Sequence, residues 1–514
     1  MGWRRRILST SCCTMFLLIA VQGSLAVDID KRKTLEILGK AQTRVSIRLQ
    51  DSDGFTQPAD IKVGDMVQWR NLAMIEITHD LKRLTKELDI LYPLKVLKIK
   101  AKYHLLGRFM YEAVYNVGPQ PFQDVRDQDK ENIDNFKQAY DLWEAYLDLS
   151  RGPVFFRIGR QNLAWGETDV FRLLDGINPM DNTFGGVFED IDDRRIPLWM
   201  LRGSYNFGKV GPVSALTVEG FWVPGNWDVR VAPLAPAGTA YAVPQPEAPV
   251  PAVTLTPSKV MSNSRWGVRL MGFLFDNYNF TLAHYKSYLD NPSLRLDVGA
   301  NPLDAEMQVS YPDVQVTGAS LSFWQKQTDV IVRTELAWFW DEPVFIPEVN
   351  VPLVPLPIPI PGVPGLPANG SIPKKDVFRW VVGLDKNIWI RPLNKKRTFM
   401  CSMQYFGTWY QDYDERMALP AANYPDPNHF SSVKEVESIF TFLMTSDFSG
   451  GDIIPQLVVA YDVRGAWMFQ PSVNYNFEPF RFMIQYSGIV GNMTGFGVFR
   501  DRDQITFILS YLLN

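Results

Sequence analysis

The chain has 514 residues, enough for several soluble domains. Its nearly balanced charge, 52 Lys and Arg against 56 Asp and Glu, excludes the basic surface that nucleic acid requires. Three cysteines and four histidines leave little for a disulfide scaffold or a metal cluster, whereas 13 % aromatic residues with 15 tryptophans and no interior membrane-helix run point to a membrane wall built from strands.

The N-terminus carries Arg4, Arg5 and Arg6, then an apolar run from Thr14 to Val21, then the small-x-small pattern Ser24, Leu25, Ala26. This is the layout of a secretory signal peptide cleaved after Ala26. Cys12 and Cys13 precede the apolar run instead of following it, which argues against lipidation. Cleavage leaves 488 residues, shifts the formal charge from −4 to −7, and leaves Cys401 as the only thiol, so no intramolecular disulfide can form.

The remainder reads as one all-β domain, 27–514: a transmembrane antiparallel β-barrel of about 18 strands. The test is period-two alternation. Trp143, Ala145, Leu147 and Leu149 oppose Glu144 and Asp148; Trp266, Val268 and Leu270 oppose Arg265 and Arg269. Phe480, Phe482, Ile484 and Tyr486 oppose Arg481, Gln485 and Ser487, and Ile505, Phe507, Leu509, Tyr511 and Leu513 oppose Thr506 and Ser510. Strands are expected near 42–50, 66–78, 97–115, 138–149, 153–161, 195–207, 213–223, 264–275, 277–288, 313–324, 327–340, 376–390, 397–411, 433–447, 453–463, 465–476, 478–489 and 502–512. The first two alternate least clearly, so sixteen strands is the alternative. Long and short connections alternate as in outer-membrane barrels. The reversal falls at DFSGGD (447) and DVRG (462).

Between the second and third strands, His79 to Leu94 places Leu81, Leu84, Leu88 and Leu91 at helical spacing, which predicts a short amphipathic helix on the periplasmic side. It packs on the lower rim or docks a periplasmic partner. The fifth strand leads into residues 162–194, a long polar connection of the kind that is usually functional. Irregular backbone at membrane depth is tolerated only inside protein or beside water, so this loop is expected to fold into the lumen as a plug or constriction. There Glu167, Asp169, Asp175, Asp181, Asp192 and Asp193 would pair with Arg160, Arg172, Arg194, Arg195 and the strand arginines. Gly166, Gly185 and Gly186 would supply turns, and Trp165 would wedge the loop against the wall. The run from Glu189 to Asp193, followed by Arg194 and Arg195, reads as internal ion pairing ahead of a bound divalent cation.

Further inward charges, Glu144, Asp148, Arg157, Glu219, Arg265, Arg269, Arg333, Glu335, Arg379 and Arg481, either brace the lumen or line a wet channel. Two outer loops, 224–263 and 341–375, are rich in Pro and apolar residues and nearly uncharged. They form an inert lid over the mouth or a vestibule for apolar cargo. No His-x-x-His or Gly-x-Ser-x-Gly pattern occurs, so neither catalysis nor any cofactor or metal is expected.

Arg157, Gly159, Arg160 and Gln161, then Trp165, Gly166 and Glu167, then Gly176, Ile177, Asn178, Pro179 and Asp181 spell R-x-G-R-Q, W-G-E and G-I-N-P-x-D in order. In this the chain resembles the DUF1302 family of Gram-negative outer-membrane proteins. The resemblance implies a barrel associated with export pumps and lipid or hydrophobic cargo. It departs in its Pro-rich loops and in ending Leu-Leu-Asn, which leaves Phe507 and Tyr511 as the aromatics for insertion. The expected function is an outer-membrane channel or transporter for a small solute, a hydrophobic or amphipathic one included, gated or narrowed by loop 162–194. The alternative is a non-conducting component of a lipid-trafficking or export assembly, with outer-membrane lipid around it and a periplasmic or inner-membrane export partner beneath; a surface adhesin is the third reading. Solute, direction of transport and oligomeric state are left open by the sequence.

Overall fold

The computed structural model describes residues 34–52, 60–82, 92–242, 251–299, 304–354, 366–419 and 432–513. The expected signal peptide, 1–26, lies outside them. Eighteen strands make the wall: β1 (Leu35–Arg48), β2 (Met66–Asp80), β3 (Lys100–Glu112), β4 (Gln138–Arg151), β5 (Val154–Gln161) and β6 (Leu198–Val210). They continue as β7 (Val213–Val223), β8 (Arg265–Leu274), β9 (Tyr278–Tyr288), β10 (Asp313–Gln325), β11 (Val330–Pro343) and β12 (Lys374–Ile388). The last six are β13 (Phe399–Tyr410), β14 (Val436–Thr445), β15 (Ile453–Asp462), β16 (Ala466–Phe477), β17 (Phe480–Gly491) and β18 (Gln504–Leu513).

Each strand pairs antiparallel with its sequence neighbours, and β1 closes on β18 from Gly39 opposite Leu513 to Arg48 opposite Gln504. Closure removes the free edges that membrane hydrocarbon would not tolerate. Every predicted strand is present, and β1 begins seven residues earlier than its alternation indicated. The faces sort as expected: Val268, Leu282, Leu336 and Leu509 are exposed outside, while Glu335, Ser402, Gln404 and Thr506 are buried inside.

One local expectation fails, and a second falls largely outside the described residues. Trp143 does not face lipid: the register of β3 and β4 shifts at Leu106/Gly107, Trp143 drops out of the ladder, and it is buried with the Arg108 guanidinium 3.2 Å from its ring centre. A bulge reverses parity locally, which alternation cannot foresee. At the predicted helix 79–94, β2 runs on through His79 and Asp80, and only Tyr92–Val96 is helical; residues 83–91 lie outside the described residues. The connection between β3 and β4 instead holds three short helices, Val114–Val117, Gln120–Gln128 and Lys130–Phe136, which bury Tyr115, Phe122 and Ile133.

Outer loops knit together over the mouth. Ala252–Leu255 pairs in parallel with Glu306–Ser310, which pairs with Ser293–Asp297. Asn350 Nδ2 donates to the Leu294 carbonyl at 2.7 Å. The first Pro-rich loop crosses the opening: it leaves β7, and Thr239, Ala240 and Tyr241 end buried, with the Tyr241 hydroxyl 3.1 Å from Gln504 Oε1 on β18.

Candidate functional site

The connection between β5 and β6, residues 162–197, is a lasso whose neck is tied by its own side chains. Asn178 Oδ1 accepts from the Leu163 amide at 3.0 Å and its Nδ2 donates to the Ile196 carbonyl at 2.8 Å. Asp181 N donates to Arg194 O at 2.7 Å and Ile196 N to Pro179 O at 2.8 Å. One buried amide thus joins the beginning, middle and end of the segment, which satisfies backbone groups that would otherwise be stranded. At the neck, Gly159 has φ +133°, and a Cβ there would collide with the Ala145 carbonyl; this is the physical content of the glycine in R-x-G-R-Q.

The first half of the segment lies against β7–β13. Leu163, Trp165, Leu173, Leu174 and Ile177 form one buried cluster with inward residues such as Phe221, Tyr285 and Phe339. Trp165 donates its indole N–H to Glu219 Oε1 at 3.0 Å, and Glu219 is also held by Arg202 at 2.6 Å and Arg269 at 2.9 Å. Arg269 in turn sits over the Trp165 ring. Leu174 seats in a recess made by register: Ala283, Gly318 and Ala337 stand side by side on β9, β10 and β11, and any Cβ on Gly318 would strike Leu174.

Among the described residues Glu335 pairs with no arginine. Its carboxylate accepts the backbone N–H of Glu167 and, at 3.1 Å, that of Leu174, so it satisfies the segment's amides directly. Arg333 binds both Asp169 oxygens at 2.9 and 2.6 Å, Asp385 at 2.7 Å, and the Glu167 carbonyl. Ser402 donates to Asp169 at 2.7 Å, and the Glu167 carboxylate accepts from Asn279 at 3.2 Å.

The second half reaches the opposite wall. The Glu189 carboxylate is bound by Arg44 on β1 and Arg70 on β2. Burial raises the Glu189 carboxyl, but the two guanidiniums outweigh it and hold it below the ordinary value. The Phe188 carbonyl accepts from Gln470 at 2.7 Å and Gln485 at 3.3 Å, and the Phe184 carbonyl from Gln68. Phe184 stacks on Phe136, at 4.7 Å between ring centres.

Other predicted residues serve elsewhere. Arg172 bonds the carbonyls of Asp175 and Asn178 and pairs with Asp290 of the outer loop between β9 and β10. Asp175 pairs with Arg195; its burial pushes the carboxyl up against the pull of that guanidinium. Arg195 also holds Asp192, whose side chain is 89 % exposed. Arg194 bonds Asn182 at 2.8 Å.

Several pairings differ from those expected. Arg160 meets no acid of the segment; it clamps Asp141 and the Leu142 carbonyl of β4. Asp181 forms no ion pair among the described residues but accepts from the Thr183 amide at 3.0 Å, a local turn. Asp193 forms no ion pair among the described residues and is exposed. Glu189 makes its ion pairs with Arg44 and Arg70, and its neighbour Arg194 acts on it only through its field. Only Gly186 has a left-handed φ, +54°, among the three glycines assigned to turns. Gln161 folds back on the Gly159 and Met200 carbonyls. Arg157 braces Asp148 at 2.6 Å and lies over Tyr146, Arg379 braces Glu342 at 2.7 Å, and buried Arg265 bonds the Arg230 carbonyl. Arg481 is exposed on the lower wall.

Above the first half, a cavity of about 320 Å³ is bounded by Arg172, Tyr285, Asp290, Glu342 and Arg379, its four charges in two matched pairs. The residues that sequence reasoning overlooked, Arg44, Arg70, Gln68 and Gln470, are inward positions on strands. Their alternation marked the face; nothing local marked the partner.

A family model described as "Protein of unknown function (DUF1302)" matches residues 7–513. No curated protein matches the chain. Among solved structures, OccAB1 of Acinetobacter baumannii is similar at 10 % identity and a TM-score of 0.47, over 95 % of this chain and 98 % of that one. OccK9 (OpdG) of Pseudomonas aeruginosa is similar at 10 % identity and a TM-score of 0.46, over 93 % and 98 %. OccK2 (OpdF) of Pseudomonas aeruginosa, in complex with glucuronate, is similar at 9 % and 0.46, over 96 % and 99 %.

Proposed function

The chain belongs to the DUF1302 family of proteins of unknown function, and from that premise we propose that it is an outer-membrane channel for small solutes whose conductance is limited by residues 162–197. A barrel of eight strands fills with its own side chains, whereas sixteen to eighteen strands leave an aqueous lumen. Here a polar segment occupies that lumen. The observation that carries the reading is the way it is held: Arg333 on Asp169, Glu335 on two backbone amides, and Arg44 with Arg70 on Glu189. Contacts of this kind exchange for water at modest net cost, which suits a constriction that yields to a solute. The small cavity above it, with its matched charges and apolar patches, suits a polar or amphipathic solute better than a simple ion.

A second reading is favoured by the two apolar clusters that flank the segment: it never yields, and the barrel serves a lipid-trafficking or export assembly through a periplasmic partner. Single-channel recording in planar bilayers separates the two. The channel reading expects small, fluctuating conductance from the intact protein and a rise of about tenfold when residues 166–193 are replaced by a short Gly-Ser link. A silent intact barrel that stays silent after the deletion would remove the channel reading.

A further inference from the structure

On the outside of the wall, where β6 to β8 reach the outer end, tryptophans gather. Trp222 stands between Leu201 and Trp266 in the ladder, all three exposed. Trp199 lies above them on β6, between the inward residues Leu198 and Met200, and its ring is 6.2 Å from that of the exposed Trp227. Tryptophan in this setting marks the level where hydrocarbon gives way to headgroups. Beside this cluster opens a groove of about 620 Å³, within the size range of small-molecule pockets. Its floor is apolar, from Ile196, Val231, Ala232, Leu234 and Tyr311.

Its charge is one-sided. Asp228 is 3 % exposed and its carboxylate is already committed, accepting from the Trp199 amide at 2.9 Å and the Arg230 amide at 3.1 Å. The Arg230 guanidinium stands 3.7 Å from it with its side chain 40 % exposed, and Lys259 is exposed at the same groove. What the groove shows to its surroundings is therefore an apolar bed with two cations at the rim.

We propose that this groove binds a phosphorylated glycolipid of the outer leaflet, of lipid A chemistry, with an acyl chain on the apolar floor and a phosphate between Arg230 and Lys259. A basic rim over an apolar pocket is the arrangement that retains anionic lipid headgroups. The inference rests on the outer-membrane placement proposed above and is independent of conduction.

The test is lipid retention by the full-length protein purified from outer membrane, carried through exchange into a mild detergent and read by native mass spectrometry, with heat-modifiability as the check of barrel folding. The native protein is expected to keep one lipid A per barrel. Arg230→Glu with Lys259→Glu should lower retention at least tenfold, Arg230→Lys with Lys259→Arg should keep it, and Trp467→Ala, on the outer face of β16, should leave it unchanged. Equal retention in the charge-reversed variant, retention of a glycerophospholipid instead, or no retained lipid in the native protein would each overturn the proposal. Because bilayer conductance is recorded separately, a lipid result in either direction leaves the channel reading to its own test.

Discussion

Residues 163–178 and residues 184–195 are parts of one segment, yet they grip opposite arcs of the wall by different physics. The first part buries five apolar side chains in recesses the wall provides, down to a glycine that makes room for Leu174. Its polar contacts are added to that burial. The second part is pinned by a single carboxylate between two guanidiniums and by carbonyls that accept from side-chain amides, with two aromatic rings beside them, Phe184 stacked on Phe136 and Phe188 in a cluster of loop and wall residues. Burial of a large side chain is lost only by opening a cavity, at about 3–5 kcal/mol for an aromatic. When this part lifts, its carboxylate, the guanidiniums and the carbonyls regain water together, at a net of about 1–3 kcal/mol per contact, below the cost of leaving one partner of a buried pair alone. The second part is therefore the one expected to release first, and the first part the one that keeps the segment in the barrel.

Removing the segment altogether is the largest perturbation, and the tenfold conductance rise expected above should come with an intact, heat-modifiable barrel. Next comes Glu189→Ala, which strands Arg44 and Arg70; breaking a buried pair on one side costs about 3–5 kcal/mol. Amide exchange followed by mass spectrometry should speed up across 184–195 and stay slow across 163–178. Both halves loosening together would break the comparison.

Gly318→Val is the reciprocal change. It fills the recess and should cost about 1–3 kcal/mol, with faster exchange at Leu174 and no change around Glu189. Asp169→Asn is smaller, about 0.5–1 kcal/mol, since Arg333 is partly exposed and keeps Asp385. Acidification gives the finest discrimination. A carboxyl held below its unfolded value of 4.5 contributes stability above that value and loses it as pH falls through the folded one. Exchange in 184–195 should thus be flat from pH 7 to pH 5, after correction for intrinsic rates, and accelerate only below the ordinary Glu range.

Much of this molecule is legible in its sequence because the information is local. Whether a residue faces lipid or lumen follows from its own strand's alternation, and loop lengths alternate with the two ends of the barrel, so the inward set could be read directly and the strand number to within two. Trp143 is the instructive exception: a bulge is a property of two strands together. In the segment, Trp165, Asp169 and Arg333 were foreseen as contact groups from composition alone, while Asp181 and Arg160 were foreseen with the wrong partners. Their actual partners are a turn two residues away and the adjacent strand, and nearer groups win when a charge can be satisfied without crossing the lumen.

The sequence by itself determined an antiparallel wall of about eighteen strands and a polar segment that has no place in lipid. The tertiary structure alone decided which wall residue each group of that segment meets. Glu189 stands 119 residues from Arg70 and 145 from Arg44, and no periodicity within either strand carries that distance. Only closure of the barrel, which brings β1 and β2 around to face a loop leaving β5, sets those charges opposite one another.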